Sequence, residues 1–144
     1  RFEIEAAGLT TPDHYIFQTP GSEPEKAKRA VGHFLQLSDR PTGIVCFNDM
    51  LAIGAMQVLQ QRGIRVPEEM SITGFDNIVF SEYTNPPLTT FDQPKRFIGQ
   101  KAAELVLSLL DSTSNTHVPQ QKIQILKGSL LVRQSTAPPR SNLP

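Results

Sequence analysis

The stretch Thr42–Asp76 constrains the fold of this chain most, because it follows a strand, helix, strand pattern. Gly43–Phe47 and Met70–Phe75 are short, largely apolar runs, and the residues between them repeat at helical spacing. A continuous apolar run is typical of a parallel strand covered on both faces. Asn48 follows the first strand and Asp76 ends the stretch after the second. Ligands bind outside the carboxyl ends of such strands, so we expect Asn48 and Asp76 to face one crevice.

Strand and helix patterns also alternate along the rest of the chain. The expected helices are Ser22–Leu37, Met50–Arg62 and Pro94–Leu110. The other expected strands are His14–Phe17, Leu88–Asp92, Lys122–Leu126 and Ser129–Arg133, with a polar loop at Asp111–Gln121. Ser22 and Glu25 have capping-box spacing, and Asp49 is the expected cap of the second helix. The alternation predicts an α/β fold, with a mostly parallel sheet and helices on both faces.

Length and charge limit the class of protein. A chain of 144 residues is expected to form one domain. Its 14 basic and 14 acidic side chains cancel, so it lacks the basic bias of a nucleic-acid-binding domain. The single cysteine, Cys46, rules out an intrachain disulfide and is interpreted as a small buried hydrophobe. No apolar run is long enough to span a membrane, and the first residues do not resemble a signal peptide.

The motifs of common enzymes are missing from the sequence. It contains no G-x-G-x-x-G, no phosphate-binding loop motif and no G-x-S-x-G. His14, His33 and His117 do not share a metal-ligand spacing. We therefore expect no catalytic residue, no metal and no cofactor.

Two roles stay open for Asn48 and Asp76. Asn48 can cap the turn before the following helix, and Asp76 can accept hydrogen bonds from backbone N–H groups of its loop. Alternatively, both can bind a ligand. An Asp–Asn pair suits a polyhydroxylated molecule, because the carboxylate accepts hydrogen bonds while the amide both donates and accepts them.

The expected helix Met50–Arg62 is apolar on more than one side. Ile53 and Met56 lie at large angles from the stripe that can face the sheet. That stripe consists of Leu51, Ala55 and Val58. A second apolar face indicates a second contact, either with another element or with another subunit.

The region from Pro41 to Pro139 resembles the lactose-repressor (LacI/GalR) family of bacterial transcription regulators. The segments that carry the resemblance are PTGIVCFNDMLAIGAMQVLQQRGIRVPEEMSITGFDN, NPPLTTFDQP and LLVRQSTAPP. It implies an effector-binding core of the type I periplasmic-binding-protein kind, whose two α/β lobes close on a small molecule. This sequence corresponds mainly to the carboxyl-terminal lobe, so the fold is expected to be incomplete.

The resemblance also implies roles for particular residues. Asn48, Asp76 and Gln93 fall on positions that bind the effector. Ser22 falls on a ligand-binding position where the family often has an aromatic ring that stacks on the ligand. This chain therefore lacks that ring. The family's effector-binding arginine falls upstream of Arg1. A subunit contact is implied at Ile53, Met56 and Tyr83, in a homodimer or higher oligomer.

The implied layout is a partial effector-binding and dimerisation domain over residues 1–136 and a flexible tail over 137–144. Residues 94–111 are expected to be a crossing helix toward the other lobe. The lobe's first strand, the other lobe and the DNA-binding headpiece are expected outside this sequence. A missing central strand leaves backbone groups unpaired, so we expect pairing with a second copy or a longer native protein.

The leading functional hypothesis is the effector-sensing part of a cytoplasmic repressor that responds to a sugar or nucleoside-like ligand. It would contact operator DNA only through its headpiece and would not contact a membrane. The alternative is the sugar-binding protein of a transporter, which has the same lobes. A third possibility is an α/β enzyme.

Overall fold

A computed structural model describes residues 2–111 and 123–139. The helices are α1 (Phe2–Ala6), α2 (Ala27–Gln36), α3 (Asp49–Gln61) and α4 (Lys95–Asp111). The strands are β1 (Gly43–Val45), β2 (Ser71–Phe75), β3 (Thr89–Asp92) and β4 (Ser129–Leu131). Turns of 3-10 helix occur at Asp13–Tyr15, Pro24–Lys26 and Val79–Glu82.

The four strands form one sheet in the order β1-β2-β3-β4. β1 pairs with β2 and β2 with β3 in parallel, while β4 runs antiparallel to β3. The predicted α/β fold with a mostly parallel sheet is therefore confirmed.

The core lies between the sheet and α3, and α2 packs on the outside of α3. Its fully buried large apolar side chains are Leu59, Met70, Ile72 and Leu88. Side chains alternate along β1, so Ile44 packs against this core while Val45 on the opposite face is 86% exposed. Helices on both faces were predicted, whereas the described residues cover one face of the sheet.

Helix α4 follows β3, and its apolar side chains remain exposed. They include Phe97, Ile98, Leu105, Val106, Leu107, Leu109 and Leu110. No other element of the described residues packs closely on this helix. The stripe therefore has no partner within the described part of the chain.

The start of α2 differs from the prediction. The helix begins at Ala27, and the expected capping box is wrong, because no side-chain cap forms at either Glu23 or Lys26. Close packing on α3 explains the difference. A Cβ atom at Gly54 would lie 2.2 Å from the carbonyl oxygen of Pro24, so the chain crosses α3 in a tight turn before α2 starts.

The predicted strand His14–Phe17 is wrong as well. The chain forms a 3-10 turn there and bonds to residues near α2 instead of to the sheet. Tyr15 donates from its hydroxyl to Oδ2 of Asp39 over 2.6 Å, and His33 Nε2 lies 2.8 Å from the carbonyl oxygen of His14. Among the described residues, no strand lies beside the outer edge of β1, so this segment has no neighbouring strand to pair with.

The segment after β4 is tied to the middle of the sheet. The Ser135 hydroxyl donates to the carbonyl of Ile72 over 2.6 Å and accepts from the N–H of Thr89 over 2.8 Å. Ala137 N–H donates to the Ser71 hydroxyl over 3.1 Å, so the expected tail is anchored at its first residue. The predicted strand at 122–126 is not formed by residues 123–126, and residues 112–122 and 140–144 lie outside the described ranges.

Candidate ligand-binding cleft

Polar side chains gather at the carboxyl ends of the three parallel strands. Asn48, Asp76 and Gln93 follow β1, β2 and β3 respectively. Val45 pairs with Thr73, and continuing this register by three residues puts Asn48 opposite Asp76. Nε2 of Gln93 donates a hydrogen bond to Oδ1 of Asp76 over 2.7 Å. The structure therefore brings these three predicted residues to one edge of the sheet.

Asn48, rather than Asp49, is the residue that caps α3. Its Oδ1 accepts from the N–H of Leu51 over 2.9 Å, while Asp49 is the first residue of the helix. The predicted cap at Asp49 is therefore wrong, and Asn48 caps the first turn of α3 itself rather than the turn before it. No hydrogen bond occupies Nδ2 of Asn48 within residues 2–111 and 123–139. The side chain thus retains a donor that a ligand can use.

The turn after β2 has an unusual backbone. Asp76 and Asn77 have φ values of 107° and 47°, a region that L-residues rarely adopt. The backbone N–H groups of Asp76 and Asn77 donate to the Phe91 carbonyl over 3.0 Å and to Thr90 Oγ1 over 3.3 Å. The N–H of Ile78, the next in the chain, donates to Oδ2 of Asp49 in α3 over 2.8 Å. This turn is therefore held by neighbouring elements, and the Asp76 carboxylate bonds to Gln93 rather than to backbone N–H groups.

Lys95 holds the outer side of this turn. Its ammonium group donates to the carbonyl of Asp76, lies 3.4 Å from that of Asn77, and is 3.6 Å from Oδ1 of Asp92. Asn77 also donates to Oδ1 of Asp92 over 3.1 Å and accepts from Nη2 of Arg133 over 2.9 Å. The role of Lys95 was not predicted from the sequence. A lysine in the first turn of a helix was the available signal, because that end of a helix disfavours positive charge.

From the sequence, Asp49 was expected only to cap α3, and its buried contacts with the turn after β2 were not predicted. Its side chain is 0% exposed, and its oxygens accept from Thr90 Oγ1 over 2.5 Å and from the N–H of Ile78 over 2.8 Å. Gly74 leaves the room that this carboxylate occupies, since a Cβ atom there would lie 2.2 Å from Asp49 Oδ1. Asp49 thus joins the start of α3 to the turn after β2.

The position that lacks the family's aromatic ring is exposed. Ser22 makes no hydrogen bond to Asn48, Asp76 or Gln93 in the described part of the chain. Aromatic surface comes instead from the strand ends. Phe47, directly before Asn48, is 80% exposed, and the Phe75 and Phe91 rings stack with their centroids 5.2 Å apart.

The three residues expected at a subunit contact differ in exposure. Tyr83 is 78% exposed, Ile53 is half-buried against the core, and Met56 is only 6% exposed. Met56 belongs to the buried core cluster, and Ile53 packs against that cluster. Contact within the chain therefore accounts for much of the second apolar face that the sequence predicted, above all at Met56.

The remaining chemistry of the described residues is modest. Burial raises the pKa of the Cys46 thiol to about 12, with the nearby Asp49 charge as a smaller cause. Cys46 is partly buried and packs against the core, and a thiol with so high a pKa is unreactive. No group of three His, Cys, Asp or Glu side chains within residues 2–111 and 123–139 could hold a metal ion. None of the described helices is long and apolar enough to cross a membrane.

A lobe with polar residues at the carboxyl ends of parallel strands is the architecture of periplasmic-binding-protein-like domains. A sequence model of this family, described as a periplasmic binding protein-like domain, matches residues 1–136. The chain therefore belongs to the periplasmic-binding-protein-like domain family.

Individual relatives agree with this membership. The chain is 45% identical over 104 residues to the HTH-type transcriptional repressor PurR of Aliivibrio salmonicida, a match covering 72% of this chain and 31% of the relative. A LacI-family regulatory protein from Chloroflexus aggregans has a TM-score of 0.75 and 33% identity, covering 93% of this chain and 47% of its own. A LacI-family regulator from Enterococcus faecalis with bound ribose has a TM-score of 0.74 and 34% identity, covering 86% and 44%. The chain thus spans about a third of the length of that curated relative.

Proposed function

We propose that this chain is the effector-sensing part of a DNA-binding transcription regulator of the repressor type. The observation that carries the proposal is the hydrogen bond from Gln93 to Asp76 at the carboxyl edge of the sheet. It aims a carboxylate and an amide into the region where ligands of parallel α/β sheets bind. The repressor names of the curated relatives support the regulatory role.

The proposed effector is a sugar or nucleoside-like molecule. The Asp76 carboxylate has acceptor capacity beyond its bond to Gln93, and Nδ2 of Asn48 is a donor. Hydroxyl groups supply both partners, and a hydrogen bond to a charged group contributes about 1.5–3 kcal/mol. A ribose complex of a similar regulator supports this ligand class. Because Ser22 has no ring, we propose that the exposed Phe47 offers the apolar contact for a ligand ring.

We also propose how this chain is arranged within the whole protein. Residues 1–136 form a partial effector-binding and dimerisation domain, 94–111 cross toward the other lobe, and a tail follows at 137–144. The exposed apolar stripe of α4 supports the crossing, because such a stripe needs a partner. Operator contact occurs through a headpiece outside this sequence, in the cytoplasm and away from membranes.

Self-association into a homodimer or higher oligomer is part of the same proposal. Tyr83, with 78% of its surface exposed, supplies the apolar contact area. Ile53 contributes its exposed portion, and Met56 supports the surface from inside the core.

The second candidate is the sugar-binding protein of a transporter, which shares the two-lobed architecture. The repressor relatives favour regulation over transport. Catalysis is not proposed, since the matched relatives are repressors. Turnover of a sugar phosphate or nucleoside would contradict this view.

Binding experiments on a full-length regulator that carries this sequence test the proposal. A thermal-shift screen of sugars and nucleosides, with D-ribose and adenosine among them, identifies compounds that stabilise the protein. A ligand at about 100 times its Kd stabilises by about 2.7 kcal/mol, which such a screen detects. We expect the stabilising compound to change operator affinity in an electrophoretic shift assay. Tight ligand binding without any operator binding would favour the transporter alternative.

A further inference from the structure

Asp49 is a buried carboxylate beneath the turn that carries Asp76. Its side chain is 0% exposed, and no salt bridge to it forms in the described part of the chain. An isolated buried carboxylate is costly, so hydrogen bonds must compensate for its lost hydration. An arrangement of this kind needs a reason beyond capping, because Asn48 already caps the helix.

The two carboxylate oxygens of Asp49 bind different parts of the same turn. Oδ2 accepts directly from the N–H of Ile78 over 2.8 Å. Oδ1 accepts from the Thr90 hydroxyl over 2.5 Å, and the oxygen of that hydroxyl accepts from the N–H of Asn77 over 3.3 Å. Asp49 therefore reaches two consecutive backbone N–H groups, one directly and one through Thr90.

The direction of these bonds follows from the donor inventory. Oγ1 of Thr90 donates to Oδ1 of Asp49, so the single hydroxyl proton of Thr90 points at Asp49. The lone pairs of the Thr90 oxygen then face Asn77. An amide in place of the carboxylate can donate to Thr90 instead, which frees the hydroxyl to rotate away from this arrangement.

Space for the carboxylate is provided by a glycine in the facing strand. A Cβ atom at Gly74 would lie 2.2 Å from Oδ1 of Asp49 and 3.0 Å from Cδ2 of Leu88. Gly74 is thus required because the buried carboxylate of Asp49 occupies the space that a side chain at position 74 would need.

We propose that Asp49 is a positioning residue that sets the backbone of residues 76–78 and thereby aims the Asp76 carboxylate at Gln93 and the ligand. Asp76 and Asn77 have positive φ values, a conformation that persists only where surrounding contacts impose it. Asp49 supplies two of those contacts from α3, directly at Ile78 and through Thr90 at Asn77. The consequence for ligand affinity rests on the proposed function, whereas the effect on the backbone does not.

Amide hydrogen exchange measured by NMR on Asp49→Asn tests the backbone effect in the full chain. We expect the Ile78 amide to exchange about tenfold faster, because its acceptor changes from a carboxylate oxygen to a neutral amide oxygen. The Asn77 amide should also exchange faster, because the Thr90 hydroxyl loses its fixed orientation. The amides of Leu59 and Ile72 in the core should keep their rates. Thr90→Val should accelerate Asn77, and Thr90→Ser, which retains the hydroxyl, should preserve its protection.

Two results would overturn the positioning role. One is an unchanged exchange rate at Ile78 in a folded Asp49→Asn chain. The other is an equal acceleration at Leu59 and Ile72, which indicates general destabilisation. The control Asp39→Asn, which removes a carboxylate bonded to Tyr15, should leave residues 76–78 unchanged.

Ligand binding is measured separately, with D-ribose and adenosine as probes of the full-length protein. Weaker binding in Asp49→Asn than in Asp39→Asn supports the positioning role in recognition. Binding of a probe with equal affinity in both variants contradicts it. If the unmodified protein binds no sugar or nucleoside, the proposed function fails, while the exchange measurement still decides the role of Asp49 in the turn.

Discussion

Gln93 and Asp76 are joined by a hydrogen bond of 2.7 Å between Nε2 and Oδ1, which connects the ends of two neighbouring parallel strands. The amide fixes one carboxylate oxygen, so the other can accept from a ligand. Because Asp76 is also held through its backbone, by the Phe91 carbonyl and the Lys95 ammonium, its position is set before any ligand arrives. Preorganised groups of this kind lower the entropic cost of binding.

Asp76→Ala should abolish the effector response of the full-length regulator and leave operator binding intact. The substitution removes the charged acceptor but not the elements that carry it. Calorimetric titration with the compound from the ligand screen should show an affinity loss of at least about tenfold, since a hydrogen bond to a charged group contributes about 1.5–3 kcal/mol. Asp39→Ala is the matched control, because Asp39 bonds to Tyr15 away from this edge. Unchanged effector affinity in Asp76→Ala would remove Asp76 from the site.

Gly74→Ala should destabilise the fold, whereas Gly99→Ala should not. A Cβ atom at Gly74 meets Oδ1 of Asp49 at 2.2 Å, but one at Gly99 on α4 meets nothing within 4 Å. Overpacking a core costs about 1–3 kcal/mol, and alanine in an exposed helix gains up to about 1 kcal/mol over glycine. Urea unfolding monitored by circular dichroism measures both variants. Equal stabilities would show that the Asp49 side chain can move away, contrary to its proposed fixed position.

Tyr83→Asp should weaken self-association while leaving the free energy of unfolding nearly unchanged. Tyr83 is 78% exposed, so a charge there acts on a contact between subunits rather than on the core. Ile53→Asp should weaken association too, with some loss of stability because Ile53 packs against the core. Sedimentation velocity of the full-length protein measures the association constant. Leu9→Asp, at another exposed apolar residue, is the control, and equal association constants for Tyr83→Asp and Leu9→Asp would argue against the interface.

Cys46 should react slowly with thiol reagents in the native chain. Its ionisation should also make the free energy of unfolding fall at high pH. Burial raises its pKa to about 12, so the reactive thiolate is scarce at pH 8. The unfolded thiol ionises near about 8.5 while the folded one stays protonated. The contribution of Cys46 is therefore complete below about pH 8.5 and declines from there toward pH 12.

Urea unfolding of the native chain and of Cys46→Ser between pH 8 and pH 10.5 measures how much the ionisation of Cys46 contributes to stability, because serine does not ionise. We expect stability to fall more steeply in the native chain, by at most about 1.4 kcal/mol per pH unit. Identical slopes for the two proteins would contradict the raised pKa.

The sequence by itself determined the strands and helices whose apolar period is strong. The strand, helix, strand stretch from β1 to β2 and the strand β3 were predicted within a few residues, because burial on a parallel sheet requires a continuous apolar run. The position of Asn48, Asp76 and Gln93 at one edge followed from the same alternation together with the resemblance to LacI/GalR regulators. Local signals were less dependable: the capping box at Ser22 and the strand at His14 did not form.

Only the tertiary structure decided what those polar residues contact. The bond from Gln93 to Asp76, and the reach of Asp49 to Ile78 and Thr90, join residues 17, 29 and 41 positions apart in the chain. No local pattern encodes such contacts, because they depend on how strands register and on the space left by Gly74. The exposure of Tyr83 and the burial of Met56 were decided in the same way. Periodicity specifies which face of an element is apolar, and packing alone specifies what covers it.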